Sequence, residues 1–338
     1  MIIVLKPNIT KKAEKEVLSE IRKLGYKPHV MRGVARTVIG AIGDENTHHT
    51  LETLTSMNQV ESVTPIQKRF KLVSREAHPA DSTITLDNGT VIGGNEVVIM
   101  AGPCSVESEK QLMQSAEAVA AAGAKVLRGG AFKPRTSPYK FQGLGEKGLK
   151  LLRKASKATG LPVITELLGE SHAEMVAEYA DILQIGTRNA QNFQLLIAAA
   201  KTGRPVLLKR GLSMKIEEWL LAGEYVLSND NPNLMFCERG IRTFETYTRN
   251  TLDLSAVPIL KNASHCPVVI DPSQGCGRAD LVSAMCKGAV AMGADALLVE
   301  VHPDPKEAWS DGAQQVSLEG FAQLMDELQP FIAAAGRS

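Results

Sequence analysis

Aromatic side chains are scarce, at 4% of 338 residues, and neither sign of charge dominates: 38 Lys and Arg stand against 37 Asp and Glu. A nucleic-acid-binding protein is usually visibly basic, so that class is set aside. No uncharged apolar run approaches the roughly 18 residues of a membrane span. The opening MIIVLKPNIT lacks the basic stretch and small-residue cleavage site of a secretory signal. The five cysteines (104, 237, 266, 276 and 286) form no C-x-x-C pair. An odd, scattered set reads as reduced thiols rather than a disulfide scaffold. With 44% hydrophobic and 22% charged residues, the composition excludes disorder and collagen-like repeats. The expectation is a cytoplasmic globular chain of about two domains.

Charge is unevenly divided. Residues 1–72 hold 12 Lys and Arg against 7 Asp and Glu, a surplus of five, and the remainder carries a deficit of four. The segmentation changes at the same place. Met1–Lys6 reads as a strand, and Thr10–Leu24 as a helix with Thr10 as N-cap and Gly25 just past its end. Tyr26–Met31 and Arg36–Ile42 read as strands joined around Gly33. Asn46–Met57 is a weaker helix and Val60–Ile66 a last strand. This βαββαβ order predicts a small α+β, ferredoxin-like domain over 1–72. It holds no group of catalytic side chains, so binding or regulation is its expected role.

Residues 73–95 read as the end of a charged, aperiodic linker followed by a hairpin, with Asn88-Gly89 between alternating β-formers as a two-residue turn. From 96 to 338 a β-rich run, a turn and a helical stretch recur eight times. The runs are Glu96–Ala101, Lys125–Arg128, Pro162–Glu166, Ile182–Ile185, Pro205–Lys209, Leu234–Glu238, Pro267–Asp271 and Ala296–Val301. Helical stretches include Glu109–Ala122, Gly148–Thr159, His172–Tyr179 and Leu281–Met292. Eight repeats in about 240 residues predict a (β/α)8 TIM barrel, with the hairpin plugging its N-terminal end. A doubly wound open sheet is the alternative, but it normally needs fewer strands.

A barrel of this kind carries its active site at the C-terminal ends of the strands. Those ends hold Cys104, Arg128, Glu166, Arg188, Lys209, Arg239, Asp271 with Gln274, and Glu300. One charged residue after a strand is an ordinary solvated loop end; a whole ring of them is not. Four cations at one mouth imply an anionic ligand carrying carboxylate and phosphate. The acids suit metal ligation or proton transfer. Lys133–Tyr139 sets two cations between prolines, a stiff basic loop that fits a phosphate or is simply a rigid turn.

Other motifs are weaker. Gly143, Gly145 and Gly148 match G-x-G-x-x-G, but no strand precedes them, so a helix-start turn is expected rather than a dinucleotide site. His265, Cys266 and Cys276 lack zinc-finger spacing, and His48-His49 reads as a solvated helix end.

Seven runs then occur in order: AGPCSVES (101–108), LRGGAFKPRTSPYKFQGLGEKG (127–148), QIGTRNAQNF (184–193), LLKRG (207–211), CERGIRTFE (237–245), DPS (271–273) and VEVHPDP (299–305). Together they resemble 3-deoxy-D-arabino-heptulosonate 7-phosphate (DAHP) synthase, in the type I beta branch that carries an N-terminal regulatory domain. The resemblance covers nearly the whole chain. It implies a transferase of the shikimate pathway to aromatic amino acids, condensing phosphoenolpyruvate with erythrose 4-phosphate. By the same resemblance Arg128, Lys133, Glu166, Arg188, Lys209 and Arg239 surround phosphoenolpyruvate. Arg188 and Arg239 take its phosphate, Lys209 its carboxylate, and Lys133 lies near the reacting carbons. The loop Lys133, Pro134, Arg135 and Thr136 seats the aldose, and Lys133, Glu166 and Cys104 are the implied catalytic residues.

The family's metal site is a Cys, a His, a Glu and an Asp. Cys104, Glu300 and Asp311 match it, but the histidine position is Gln274. An amide oxygen is a weaker donor than imidazole for first-row metals. Weak ligation favouring Mn2+ over Fe2+, Zn2+, Co2+ or Cd2+ is one outcome. Replacement by Cys276 or water, and loss of the metal with most activity, are the others. The resemblance further implies feedback inhibition by tyrosine or phenylalanine and a homotetramer. Two rival readings remain: 3-deoxy-octulosonate 8-phosphate synthase, against which the Lys133-Pro-Arg-Thr loop argues, and a non-catalytic effector-binding paralogue, which Gln274 favours.

Overall fold

The computed structural model describes every residue except 34, 35, 44 and 65–68, and residues 45–48 in backbone only. By contacts it divides into two units, 1–81 with 262–265, and 82–261 with 266–338.

In the first unit β1 (Ile2–Leu5) is central, and order β2-β3-β1-β4 runs from β2 (Lys27–Arg32) through β3 (Thr37–Ile42) to β4 (Val60–Thr64), all neighbours antiparallel. This is the expected ferredoxin-like sheet; the reading of a strand through Ile66 runs beyond the described residues, as does the His48 side chain. Helix α1 (Lys11–Lys23) starts where the Thr10 hydroxyl accepts from Ala13 N at 3.2 Å. Its Val17 and Ile21 pack with Ile3, Leu5, Ile39, Leu51 and Leu54 in the core. The second helical segment, Glu45–Ser56, is a 3₁₀ helix rather than the expected α-helix. Hydroxyls of Thr53, Thr55 and Ser56 donate to the carbonyls three residues back, at 2.6–2.7 Å. Side chains that bond the local backbone compete with α-helical geometry.

The second unit opens with β5 (Ile84–Thr85) and β6 (Val91–Ile92). Their turn is not the expected two-residue Asn-Gly type. Leu86 N bonds Thr90 O, Gly89 N bonds Leu86 O, and of the loop residues only Gly89 has positive φ (+87°). A type I′ turn needs positive φ at both central residues, so this is a three-residue loop closed by a left-handed glycine. Ile84, Leu86 and Ile92 cluster with Val98, Val126, Ile164, Ile182, Leu207 and Val269, so the hairpin does plug the barrel core.

The barrel strands are β7 (Val98–Gly102), β8 (Val126–Arg128), β9 (Val163–Leu167), β10 (Ile182–Ile185), β11 (Val206–Lys209), β12 (Leu234–Glu238), β13 (Val268–Ile270) and β14 (Ala296–Glu300). All eight expected runs are there, parallel, and β14 closes on β7. Each is flanked by turn punctuation and buried on both faces, which is why they read as continuous apolar runs. Among the helices, α2 (Glu109–Ala121) is capped by Ser108. Helix α3 (Glu146–Thr159) begins just after Gly145, so the glycine triplet is the helix-start turn expected of it.

Candidate active site

The residues following the barrel strands enclose a cavity of about 640 Å³. Nine Lys and Arg side chains line it (Arg128, Lys133, Arg135, Lys140, Arg188, Lys209, Arg239, Arg242 and Arg249) against two carboxylates, Glu166 and Asp311. So large an excess of one sign selects a small ligand with several negative charges.

The deepest cations are fixed from behind. Lys209 pairs with Asp271, whose second oxygen caps a short helix, Pro272–Cys276, through Gln274 N at 2.8 Å. Arg128 donates to Pro103 O at 2.7 Å and lies 3.2 Å from Glu300. Lys133 Nζ reaches the carbonyl and the Sγ of Cys104, both at 3.1 Å. Burial opposes its charge, but Cys104, Glu300 and Glu166 together raise its pKa, so it stays an ammonium. Arg239 differs. Its Nη2 donates to Gln274 Oε1 at 2.7 Å, but its Nε and Nη1, like Arg128 Nε, are buried without a partner among the described residues. Burial holds Arg239 below the usual arginine value. Unpaired buried guanidinium N–H groups are costly, and the oxygens of an anion would satisfy them.

Glu166, at the end of β9, is pushed up by burial, against the pull of Lys133, Lys209, Arg128 and Arg188. Arg188 Nη2 reaches Thr136 Oγ1 at 3.3 Å, joining the β10 end to the basic loop. Arg135 Nη1 donates to Ser310 Oγ at 2.8 Å.

The resemblance places a metal among Cys104, Gln274, Glu300 and Asp311. Gln274 and Asp311 line the cavity; Cys104 and Glu300 lie fully buried. Cys104 Sγ is 3.5 Å from Asp311 Oδ2, and burial pushes the thiol up to about 11. Burial also opposes the charge of Glu300, but Arg128, Lys133, the Gln314 amide and Lys209 hold its carboxyl down to about 2. Its oxygens accept from Gln274 Nε2 at 3.2 Å and Gln314 Nε2 at 2.6 Å. Among the described residues no three His, Cys, Asp or Glu side chains are grouped to hold a metal ion. As arranged, this donor set does not fit one.

Every expected substrate-binding residue, from Arg128 to Arg239, lines the cavity. Reading strand ends alone missed Arg242, Arg249 and Asn250, which follow β12 within or beyond the CERGIRTFE run. It also missed Gln314, which reaches Glu300 from beyond the barrel's last strand. Arg242, inside the CERGIRTFE run, was an available signal; nothing local marked Arg249, Asn250 or Gln314. His265 is a core histidine, its Nε2 bonded to Leu72 O at 2.8 Å.

Residues 81–334 match the DAHP synthetase I family, and residues 1–68 match the DAHP synthase ferredoxin-like domain. The chain is 50% identical over 336 residues to phospho-2-dehydro-3-deoxyheptonate aldolase of Thermotoga maritima, covering 99% of each chain. It is 33% identical over 255 residues to 2-dehydro-3-deoxyphosphooctonate aldolase of Caulobacter vibrioides, covering 70% of this chain and 87% of the relative. The crystal structure of the Thermotoga maritima DAHP synthase superposes with a TM-score of 0.79, covering 100% of this chain and 98% of that one. With both domains matched and the sister branch more distant, the chain belongs to the DAHP synthetase I family.

Proposed function

We propose that the cationic cavity at the barrel mouth is where this DAHP synthase condenses phosphoenolpyruvate with erythrose 4-phosphate. The observation that carries the site is Arg239, whose two nitrogens unpaired among the described residues lie in the same cavity wall as Lys209, Arg188 and Arg128. Arg239 and Arg188 take the phosphate of phosphoenolpyruvate and Lys209 its carboxylate. The Lys133–Thr136 loop receives the aldose, tied to the phosphate side by Arg188 and Thr136.

The enol C3 attacks the aldehyde carbon, and the carbonyl pair moves onto oxygen, which takes a proton from Lys133. Water adds to C2 and returns a proton to Lys133. The C2–O bond to phosphate then breaks, and the hydroxyl on C2 becomes the ketone of DAHP as its proton leaves with the phosphate. One water is consumed; its two protons end on the new hydroxyl and on phosphate. Glu166, beside Lys133 and Lys209, holds the cationic wall in register and accepts a proton in transit.

Members of the family are metal-dependent, and a divalent ion supplies Lewis-acid polarisation of the aldehyde where it is bound. The donors here do not fit an ion as arranged, and the steps above use only the chain's own groups. The N-terminal domain is read as the sensor of an effector, tyrosine or phenylalanine, and a homotetramer as the assembly. The direct test measures phosphate release from phosphoenolpyruvate with erythrose 4-phosphate and, separately, with arabinose 5-phosphate. Turnover with the four-carbon sugar alone supports the reading, and preference for the five-carbon sugar overturns it.

A further inference from the structure

Gln274 stands in the short helix Pro272–Cys276 after β13, where the resemblance places the metal's imidazole ligand, and both ends of its amide are already engaged. The oxygen accepts from Arg239 Nη2 at 2.7 Å and the nitrogen donates to Glu300 Oε1 at 3.2 Å. The orientation is not arbitrary. A guanidinium can only donate and a carboxylate, when ionised, can only accept, so the amide must turn its oxygen to Arg239 and its nitrogen to Glu300. One lone pair of its oxygen is taken by Arg239, and an ion on the other would lie against the like charge of that guanidinium.

The other ligand-type groups are similarly engaged. Glu300 lies between the Arg128 guanidinium and the amides of Gln274 and Gln314. Cys104 Sγ meets the Lys133 ammonium at 3.1 Å and Ser310 Oγ at 3.2 Å. Cys276 ends the short helix Pro272–Cys276 and, unlike Gln274, is not part of the cavity lining. The charge a divalent ion would bring is met by protein cations on the same carboxylate and thiol.

We propose that this enzyme turns over without a resident divalent cation, and that the Gln274 amide, bridging Arg239 to Glu300, positions the two groups an ion would otherwise organise. The inference rests on the DAHP synthase reading. In the condensation, the alkoxide formed from the aldehyde is protonated by Lys133, held by the Cys104 carbonyl and sulfur, instead of being stabilised by a metal. The bridge makes Gln274 a positioning residue for the phosphate-binding Arg239.

The test uses the full chain, with metal content measured before and after EDTA dialysis and turnover measured with and without added Mn2+. The expected result is far less than one equivalent of bound ion, with kcat changed by no more than about twofold by EDTA or Mn2+. The Gln274→His variant is expected to bind about one equivalent of Co2+ with a thiolate charge-transfer band that the parent lacks. A parent that holds one equivalent, loses turnover with it and regains turnover on Mn2+ addition overturns the inference and leaves the DAHP synthase reading standing. Folded parent that turns over under no metal condition overturns both.

Discussion

Gly186 carries no side chain because the Glu166 carboxylate occupies the space: an ideal Cβ on Gly186 would lie 1.9 Å from Glu166 Oε1. Its φ of −69° is open to any residue, so packing against Glu166, not backbone conformation, is what requires glycine here. A methyl group would push Glu166 out of its place beside Lys133 and Lys209. Gly186→Ala is expected to lower kcat/KM by about 10- to 100-fold while the protein stays folded. Parent-like kinetics in a folded variant would refute this.

Removing Arg239 takes away two unpaired donors and the partner of the Gln274 oxygen. Arg239→Ala is expected to raise the KM for phosphoenolpyruvate by at least about tenfold, the scale of one charge-assisted contact. Arg239→Lys should recover little, because a point charge does not replace a fork. Isothermal titration with phosphoenolpyruvate checks it; equal affinity for Lys and Arg at this position would count against the fork.

His265 gives a pH dependence of stability with a definite sign. Burial, with His78 and Arg75 nearby, holds it down to about 4 in the folded chain, below its ordinary 6.5. Between those values the unfolded chain binds a proton that the folded chain does not, so stability falls as pH drops from above 6.5 towards 4. The full effect is on the order of 3 kcal/mol. His265→Gln can keep a donor towards Leu72 O without titrating. Urea unfolding at pH 7.5 and pH 5 should therefore show a smaller loss for the variant than for the parent; identical losses would remove His265 as the cause.

Deleting residues 1–72 is expected to leave condensation measurable and abolish inhibition by tyrosine or phenylalanine. The cavity is lined wholly by residues from 128 onward. Initial rates with each amino acid, on full and shortened chains, decide it. Inhibition that survives the deletion would place the effector on the barrel.

Much of this architecture is local and therefore legible in the chain. Ile182–Ile185 and Leu234–Glu238 coincide with their strands because apolar β-formers there are bounded by glycine, proline and asparagine. Arg128, Lys209 and Arg239 were found by the same logic, since a parallel barrel sends every strand end to one mouth. The failures were also local in cause: threonine hydroxyls tightened Glu45–Ser56 into a 3₁₀ helix, and Gly89 alone took the left-handed turn position. What only the tertiary structure decided is how distant side chains meet. Glu166 against Gly186, Gln314 on Glu300, and Gln274 held between Arg239 and Glu300 join residues from different β/α units. Residue type and spacing place those groups at one mouth. Which oxygen faces which donor, and so what charge an ion would meet at that amide, depends on ångström-scale distances that barrel closure sets and local pattern does not encode.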